Sequence, residues 1–370
     1  MRTSIILGTR PEIIKMASII KELEKRNKDF FLIHTGQHYS YEMDRVFFEE
    51  LELPQPEYNL DVGSGTHGIQ TGKMLERIEA TLLNERPDII LVQGDTNTVL
   101  AGALAAVKLG IKVGHVEAGL RSFDRSMPEE INRVITDHIS DLLFTPTQRG
   151  KQNLLREGIV ENKMFVTGNT IVDAVYRNLE ISKRKKNTLK EIGLNKKEYI
   201  LVTIHRQENV DNKERFKGIL QGLVEISHNS NIKIVYPIHP RTKKMIDILQ
   251  LHEELHSIKN LIVCEPLGYL EFLQLEENAK LIATDSGGIQ EEACILGVPC
   301  ITLRENTERP ETIEAGANML AGTDPLRISE AANEMMTRKT SWKSPFGDGN
   351  SGKRIIEIIN AVDEVLAVGD

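Results

Sequence analysis

The chain alternates short apolar runs, typical of buried strands, with longer segments that have apolar residues at three- and four-residue spacing. In the first half, such runs occupy residues 3–7, 30–33, 89–92, 113–116, 142–144 and 164–166. The second half repeats the pattern, with runs at 200–204, 233–236, 261–263, 281–284 and 299–303. Strands that alternate with helices form parallel sheets covered on both faces. The sequence therefore predicts an α/β protein.

The alternation breaks once, between residues 170 and 198, where a basic run at 183–186 passes into polar sequence. A chain of 370 residues is also too long for one typical core. We therefore predict two Rossmann-like domains with the active-site cleft between them, because ligands bind outside the carboxyl ends of parallel strands. The predicted domains are 1–170, closed by a C-terminal helix at 353–370, and 171–352.

Composition excludes several classes of partner. A net charge of −8 argues against nucleic acid. No apolar run reaches the roughly 20 residues that a membrane helix needs. The three cysteines, Cys264, Cys294 and Cys300, form no CxxC pair, which is typical of reduced thiols in a cytoplasmic protein.

The stretch 281–293 combines a buried strand, a turn of small residues and the start of a helix. The turn is Ser286-Gly287-Gly288, and two glycines let an anion approach the backbone. Unpaired N–H groups and the helix dipole favour negative charge at that point. Glu292, inside the helix, is placed to reach a sugar hydroxyl beside a bound diphosphate. The alternative is an ordinary strand–helix turn capped by Ser286.

Polar residues also follow the strands of the first half. Arg10 and Lys15 come after the first strand and are candidates to hold phosphate. Asp95 and Glu117 follow two successive strands, so both carboxylates should lie at one sheet edge. Asp95 could instead cap a helix, whereas Glu117 has no evident capping role.

Three further candidates have competing interpretations. Glu129 fits a capping box that begins at Ser126, which favours a structural role. His205 ends a strand of the second half, where it could contact a phosphate or assist a leaving group. Arg309 begins a short helix and is a second candidate for a phosphate or hydroxyl contact.

No cofactor or metal is indicated. No G-x-G-x-x-G motif follows the first strand, so a nicotinamide or flavin is not supported. His252-Glu253-Glu254-Leu255-His256 matches the zinc-protease HExxH pattern. Its flanks are polar and no third ligand is evident, so we interpret it as a surface helix.

Eight motifs identify a family resemblance. These motifs occur in the same order as in the non-hydrolysing UDP-N-acetylglucosamine 2-epimerases, which the chain resembles along nearly its whole length. The matching stretches are Gly8-Thr9-Arg10-Pro11-Glu12, Gly94-Asp95-Thr96, residues 114–121, Pro128-Glu129-Glu130, residues 167–170, His205-Arg206, residues 284–292 and residues 307–311.

The resemblance implies a GT-B-like fold and the reversible conversion of UDP-N-acetylglucosamine to UDP-N-acetylmannosamine. It implies elimination of UDP to 2-acetamidoglucal and re-addition, without metal or nicotinamide, in a homodimer. Residues matching Asp95, Glu117, Glu129 and His205 are implicated in catalysis, which reverses the structural interpretation of Glu129. The residues implied to contact the nucleotide sugar are Arg10, Lys15, Asp95, Glu117, His205, Leu267, Phe272, Ser286, Gly287, Gly288, Glu292 and Arg309.

Two features of the resemblance leave questions open. Leu267 stands where bacterial relatives carry a glutamine near the uracil, so only a backbone contact could survive there. Bacterial members bind a second UDP-N-acetylglucosamine as an activator through a segment that resembles Gln37-His38-Tyr39. A GT-B glycosyltransferase that uses a UDP-sugar donor, or a nucleotide-sugar sensor without chemistry, remains as an alternative.

Overall fold

A computed structural model describes residues 1–36 and 41–367. The chain divides into two compact units, Met1–Tyr176 together with a segment that begins at Phe346, and Arg177–Pro345. The division at 176/177 falls inside one continuous helix, and the division at 345/346 falls before the last helix. The predicted boundaries were 170/171 and 352/353. Within the described residues, no helix combines the length and apolar character needed to cross a membrane.

The first unit alternates strands and helices. Its elements are β1 (Thr3–Leu7), α1 (Arg10–Lys25), β2 (Phe30–His34), α2 (Tyr41–Glu50), β3 (Tyr58–Asn59), α3 (His67–Glu85), β4 (Ile89–Gln93), α4 (Asn97–Lys108), β5 (Lys112–Val116), α5 (Pro128–Ile139), β6 (Leu142–Thr145), α6 (Gln148–Arg156), a 3₁₀ turn (Glu161–Lys163) and β7 (Met164–Val166). Helix α7 (Thr170–Lys185) leads into the second unit.

The second unit repeats this plan. Its elements are α8 (Thr188–Ile192), β8 (Tyr199–Thr203), α9 (Gln207–Val210), α10 (Lys213–Asn229), β9 (Lys233–Pro237), α11 (Pro240–Leu249), α12 (His252–His256), β10 (Leu261–Cys264), α13 (Tyr269–Asn278), β11 (Leu281–Thr284), α14 (Gly287–Leu296), β12 (Cys300–Thr302), α15 (Pro310–Glu314), β13 (Asn318–Leu320) and α16 (Pro325–Thr337). The last helix, α17 (Ser351–Ala367), belongs to the first unit.

Both sheets are parallel, and the six strands of the second sheet repeat the order of the first six strands of the first sheet. The first runs β3-β2-β1-β4-β5-β6-β7 and the second β10-β9-β8-β11-β12-β13. In each, the order reverses beside the first strand of the unit, which is the arrangement of a Rossmann fold. The central strands β1, β4, β8 and β11 are buried along their whole length, so the predicted α/β class with two Rossmann-like domains is confirmed.

Four of the short elements escaped prediction. Strands β3 and β13 contain two and three residues, and helices α8 and α9 contain five and four. Apolar periodicity needs a longer window to be read. These elements are defined by pairing with neighbours, such as Ile33 with Tyr58 and Ile301 with Met319.

Helix α17 is anchored to the first unit at its first turn. The carboxylate of Asp173 accepts the backbone N–H groups of Ser351 at 3.1 Å and Gly352 at 3.0 Å. Farther along, α17 packs against α1, where Arg26 and Glu357 form an ion pair. A carboxylate at a helix N-terminus binds the otherwise unpaired N–H groups there.

Candidate active site

Four of the candidate residues follow the strands at which each sheet reverses its order. In the first unit, Arg10 comes after β1 and Asp95 after β4; in the second, His205 comes after β8 and Ser286 after β11. Loops that leave two such strands turn to opposite faces of the sheet and leave a crevice between them. In each unit, these candidate residues predicted from the sequence therefore lie at the sheet edge where the strand order places a ligand crevice.

In the first unit, Glu12 links the two diverging loops. Its carboxylate accepts the N–H groups of Gly8 and Thr9, both at 2.7 Å, and the hydroxyl of Thr96 at 2.5 Å. Burial raises the pKa of Glu12 to about 7, and these hydrogen bonds oppose the rise. The role of Glu12 in linking these loops was not predicted from the sequence, although the spacing Thr9-x-x-Glu12 is the signature of a capping box.

Asp95 is not the helix cap that the sequence allowed. Helix α4 is capped by Thr96, whose hydroxyl accepts the N–H of Val99 at 3.4 Å. The Asp95 carboxylate instead forms an ion pair with Arg133. Its side chain is 31% exposed, so it is held in place and remains accessible.

Glu117 lies in a backbone conformation that few residues other than glycine adopt, with φ at +71°. Such a conformation costs on the order of 1–3 kcal/mol and concentrates at functional sites. Its carboxylate is 2.5 Å from Lys15 Nζ and also accepts the side-chain amide of Gln93. The predicted phosphate ligand Lys15 is therefore the ion-pair partner of Glu117.

A buried network supports the loops that carry Asp95 and Glu117. The ring nitrogens of His115 lie 2.8 Å from the Gly94 carbonyl and 2.7 Å from Asp137 Oδ1. Asp137 Oδ2 pairs with Arg121 at 2.7 Å and accepts the N–H of Gly119 at 3.1 Å. Burial raises the pKa of Asp137, but the lowering by His115 and Arg121 is larger than this rise. The pKa of Asp137 is therefore below its ordinary value.

Gly119 is required by the close approach of the backbone. Its φ is +80°, and a Cβ built there would lie 2.3 Å from the carbonyl oxygen of Gly150. Asn153 donates to the Gly119 carbonyl at 3.0 Å. The turn after Glu117 is thus fixed from both sides.

The predicted capping box at Glu129 is wrong. Helix α5 begins at Pro128, and its N-cap is Met127, which has no side-chain hydrogen bond to the helix. The Ser126 hydroxyl donates to Asp124 at 2.6 Å. Glu129 is partly buried, and within the described part of the chain its carboxylate forms no hydrogen bond or ion pair.

The structural role belongs to the next residue, Glu130. Its buried carboxylate accepts the N–H groups of Ser122 at 2.9 Å and Phe123 at 3.0 Å, and pairs with Arg133 at 2.8 Å. Glu130 and Arg133 are three residues apart on α5, and both side chains of this ion pair are mostly buried. Burial raises the pKa of Glu130, but these donors outweigh it and lower the pKa overall.

The structure describes Arg10 but not the two predicted allosteric residues. Arg10 begins α1, and its guanidinium lies 5.6 Å from the ring centroid of Phe47. Gln37 and His38 lie outside the described residues.

In the second unit, Asp285 links the loops at the reversal. Its carboxylate, fully buried at the end of β11, accepts the N–H groups of His205 at 3.1 Å and Arg206 at 2.9 Å, and the amide of Asn209 at 3.1 Å. The His205 ring is 45% exposed, with Nε2 3.8 Å from Asp285 Oδ1. Burial lowers the pKa of His205 more than Asp285 raises it.

The small-residue turn places an open helix N-terminus at this edge. Ser286 occupies the N-cap position of α14, but its hydroxyl does not cap the helix. A Cβ built on Gly287 or Gly288 would find its nearest atoms at 3.7 and 4.0 Å. Packing therefore does not demand glycine at either position, which favours a role in close ligand approach.

The remaining candidates surround α14. Tyr269 donates its hydroxyl to Glu292 at 3.0 Å, and Arg309 lies 2.8 Å from Glu291. Leu267 and Phe272 are partly buried against the apolar cluster beneath the sheet. All of them lie in the same unit as Ser286.

The HExxH stretch forms the short helix α12, where His252 pairs with Asp247 at 3.0 Å. In the portion of the chain that the structure describes, no group of three or more histidine, cysteine or acidic side chains is placed to hold a metal ion.

Comparison with known proteins decides the family. A family model described as UDP-N-acetylglucosamine 2-epimerase matches residues 21–360. The chain is 61% identical to the UDP-N-acetylglucosamine 2-epimerase of Methanocaldococcus jannaschii, over 97% of this chain and 99% of that protein. The chain belongs to the UDP-N-acetylglucosamine 2-epimerase family.

A second archaeal relative and a solved structure extend the match. The UDP-N-acetylglucosamine 2-epimerase of Methanococcus maripaludis is 57% identical, over 97% of this chain and 98% of the relative. The structure of the Methanocaldococcus jannaschii UDP-GlcNAc 2-epimerase in complex with UDP-GlcNAc and UDP superposes with a TM-score of 0.85 at 61% identity, covering 98% and 100% of the two chains. Members of this epimerase family have the GT-B-like fold that the sequence predicted.

The adjacent carboxylates Glu129 and Glu130 generate a stability prediction. E130Q should lower the free energy of unfolding by about 1–3 kcal/mol, because an amide replaces an acceptor of several buried donors. E129Q, the matched control, should leave it unchanged. Thermal and urea unfolding of the three proteins measure the difference.

The same pair predicts a pH dependence. The folded-state pKa of Glu130 lies below its unfolded value, so its contribution to stability is present above the unfolded pKa and is lost as the pH falls toward the folded one. The stability difference between wild type and E130Q should therefore shrink in acid. A difference independent of pH would contradict the assignment.

Proposed function

We propose that the chain catalyses the reversible epimerisation of UDP-N-acetylglucosamine to UDP-N-acetylmannosamine at C2. The observation that carries the proposal is that Asp95 and Glu117 follow the neighbouring strands β4 and β5, at the carboxyl edge of one sheet. The chain is also 61% identical to a UDP-N-acetylglucosamine 2-epimerase. The family and its isomerase class are established by similarity, and the residue roles below are our proposal.

The second unit is proposed to bind the UDP moiety. The open N-terminus of α14 at Ser286, Gly287 and Gly288 suits a diphosphate. Glu292, one turn farther along, suits the ribose hydroxyls. The other proposed contacts to the nucleotide sugar are Arg10, Lys15, Asp95, Glu117, His205, Leu267, Phe272 and Arg309.

The chemistry explains the need for carboxylates. The proton at C2 is not adjacent to a carbonyl, so simple enolisation cannot remove it. Departure of UDP from C1 develops positive charge on the ring and makes the C2 proton more acidic. A carboxylate can then take that proton, giving 2-acetamidoglucal and UDP.

Inversion requires the proton to return to the opposite face of C2 as UDP adds again to C1. A proton must therefore be handled on each face, which calls for more than one acid–base group. Asp95, Glu117 and Glu129 are the proposed groups. The Lys15 ion pair with Glu117 favours an ionised Glu117, as a base requires. Among the described residues, no hydrogen bond or ion pair competes for the Glu129 carboxylate.

The departing diphosphate needs donors that are already in place. Backbone N–H groups at the start of α14, together with His205, are proposed to stabilise its developing charge. His205 is oriented by the hydrogen bonds from its own backbone N–H to Asp285. The mechanism calls for neither metal nor nicotinamide.

Location and assembly are proposed by resemblance. We propose a cytoplasmic homodimer, and exposed Ile131 and Ile135, one turn apart on α5, are consistent with a covered face. Activation by a second UDP-N-acetylglucosamine through Gln37 and His38 is proposed on the same ground.

The mechanism predicts solvent exchange. Incubation with UDP-N-acetylglucosamine alone, in D₂O, should give the manno epimer with deuterium at C2, measured by NMR. A product without deuterium would exclude elimination and re-addition. A glycosyltransferase or a sensor would give no epimer at all, since the first needs an acceptor and the second has no chemistry.

Loss of one proton-handling group should slow this reaction. We expect E129Q to lower kcat by at least about a hundredfold. E76Q, which alters an exposed glutamate of the same unit, is the matched control and should retain wild-type turnover. Wild-type turnover in E129Q would remove Glu129 from the mechanism.

Close approach of the diphosphate predicts a separation of binding from stability. G288A should leave the melting temperature unchanged or higher, because its Cβ has space and alanine favours a helix. It should weaken UDP binding, measured by calorimetry, by roughly tenfold, since the methyl group stands between the phosphate and the backbone. Unchanged UDP affinity would show that the diphosphate binds elsewhere.

A further inference from the structure

A carboxyl group with no conventional donor lies in the core of the second unit. Glu276, in α13, has no exposed surface, and neither of its oxygens is within hydrogen-bonding distance of an N–H or O–H donor among the described residues. An ionised carboxylate in such a place costs several kcal/mol or more, so a buried group of this kind normally takes up a proton. None of the steps proposed above uses Glu276.

The neighbour of Glu276 is a second carboxyl group. Its side chain lies within hydrogen-bonding reach of Glu292 of α14, against which α13 packs. Two carboxyl groups form a hydrogen bond only when one of them carries a proton. Glu276 is the deeper of the two, and Glu292, which is 8% exposed, already accepts the hydroxyl of Tyr269 at 3.0 Å.

Burial and the adjacent Glu292 both raise the pKa of Glu276 well above its ordinary value. With the proton on Glu276, Glu292 would receive two donated hydrogen bonds, one from Glu276 and one from Tyr269. Both of these donors come from α13, so this helix contributes to the orientation of the Glu292 carboxylate.

We propose that Glu276 is a neutral carboxylic acid that positions Glu292 to accept the hydroxyl groups of the ribose. The inference rests on the proposed binding of UDP by the second unit and adds a positioning residue to it. Glu276 itself does not touch the nucleotide; it acts through Glu292.

The arrangement explains why an acid is kept in an apolar core. A pre-oriented carboxylate loses less side-chain freedom when the ribose binds, so more of the hydrogen-bond energy appears as affinity. A buried acid that donates to a single partner contributes little to stability, because an apolar residue of similar volume avoids its desolvation. Function and stability therefore make opposite demands at this position.

The test compares two ligands in three proteins by calorimetry. The ligands are UDP and 2′,3′-dideoxyuridine diphosphate, which lacks the ribose hydroxyls. The proteins are wild type, E276Q, which retains a donor toward Glu292, and E276M, which removes it at similar volume. Melting temperatures are measured for each protein.

Wild type should prefer UDP over the dideoxy ligand, and E276M should reduce that preference by roughly tenfold through weaker UDP binding alone. E276Q should restore most of the preference. The melting temperature of E276M should equal or exceed that of wild type. A purely structural role would instead lower stability and weaken both ligands equally.

Several results would overturn the inference. They are an unchanged preference in E276M, equal weakening of both ligands, failure of E276Q to restore the preference, or a wild type that does not distinguish the ligands. If wild type bound neither ligand, the proposed function itself would fail. Should E276M not fold, Y269F removes the other donor to Glu292, and an undiminished preference there would count against the inference.

Discussion

At each point where a sheet reverses its strand order, two loops diverge and a buried carboxylate holds their bases together. Glu12 accepts donors from the β1 loop and from Thr96 after β4. Asp285, after β11, accepts the N–H groups of His205 and Arg206 after β8. Parallel topology creates the crevice, and the carboxylates fix its width. In each unit, candidate residues lie on the loops that this buried carboxylate holds together.

The two edges differ in the chemistry that they present. The first unit offers carboxylates that the structure holds in fixed positions. Glu117 has a strained left-handed backbone, and a buried network around His115 supports the loops that carry Asp95 and Glu117. The second unit offers an uncapped helix N-terminus with space above Gly287 and Gly288. Elimination of a nucleoside diphosphate requires acid–base groups and donors that bind an anion, and each unit presents one of these two kinds of group.

The long periodic segments determined the fold from sequence, because the strands of the two sheet centres are mostly apolar and are buried along their whole length. The positions of Asp95, Glu117 and Ser286 followed from the same strands. Local capping was less predictable: α4 is capped by Thr96 and not by Asp95, and α5 begins at Pro128 without a capping box at Glu129. Partners distant in sequence, such as Lys15 with Glu117 or Glu276 with Glu292, depend on tertiary packing and leave no local signal.

A crystal structure of the chain with UDP bound tests the central claim most directly. The account predicts diphosphate oxygens within hydrogen-bonding distance of the backbone N–H groups at the start of α14, and the ribose hydroxyls against Glu292. The loops joined by Asp285 should keep their hydrogen bonds. A diphosphate held away from Ser286, Gly287 and Gly288, with Glu292 unoccupied, would contradict it.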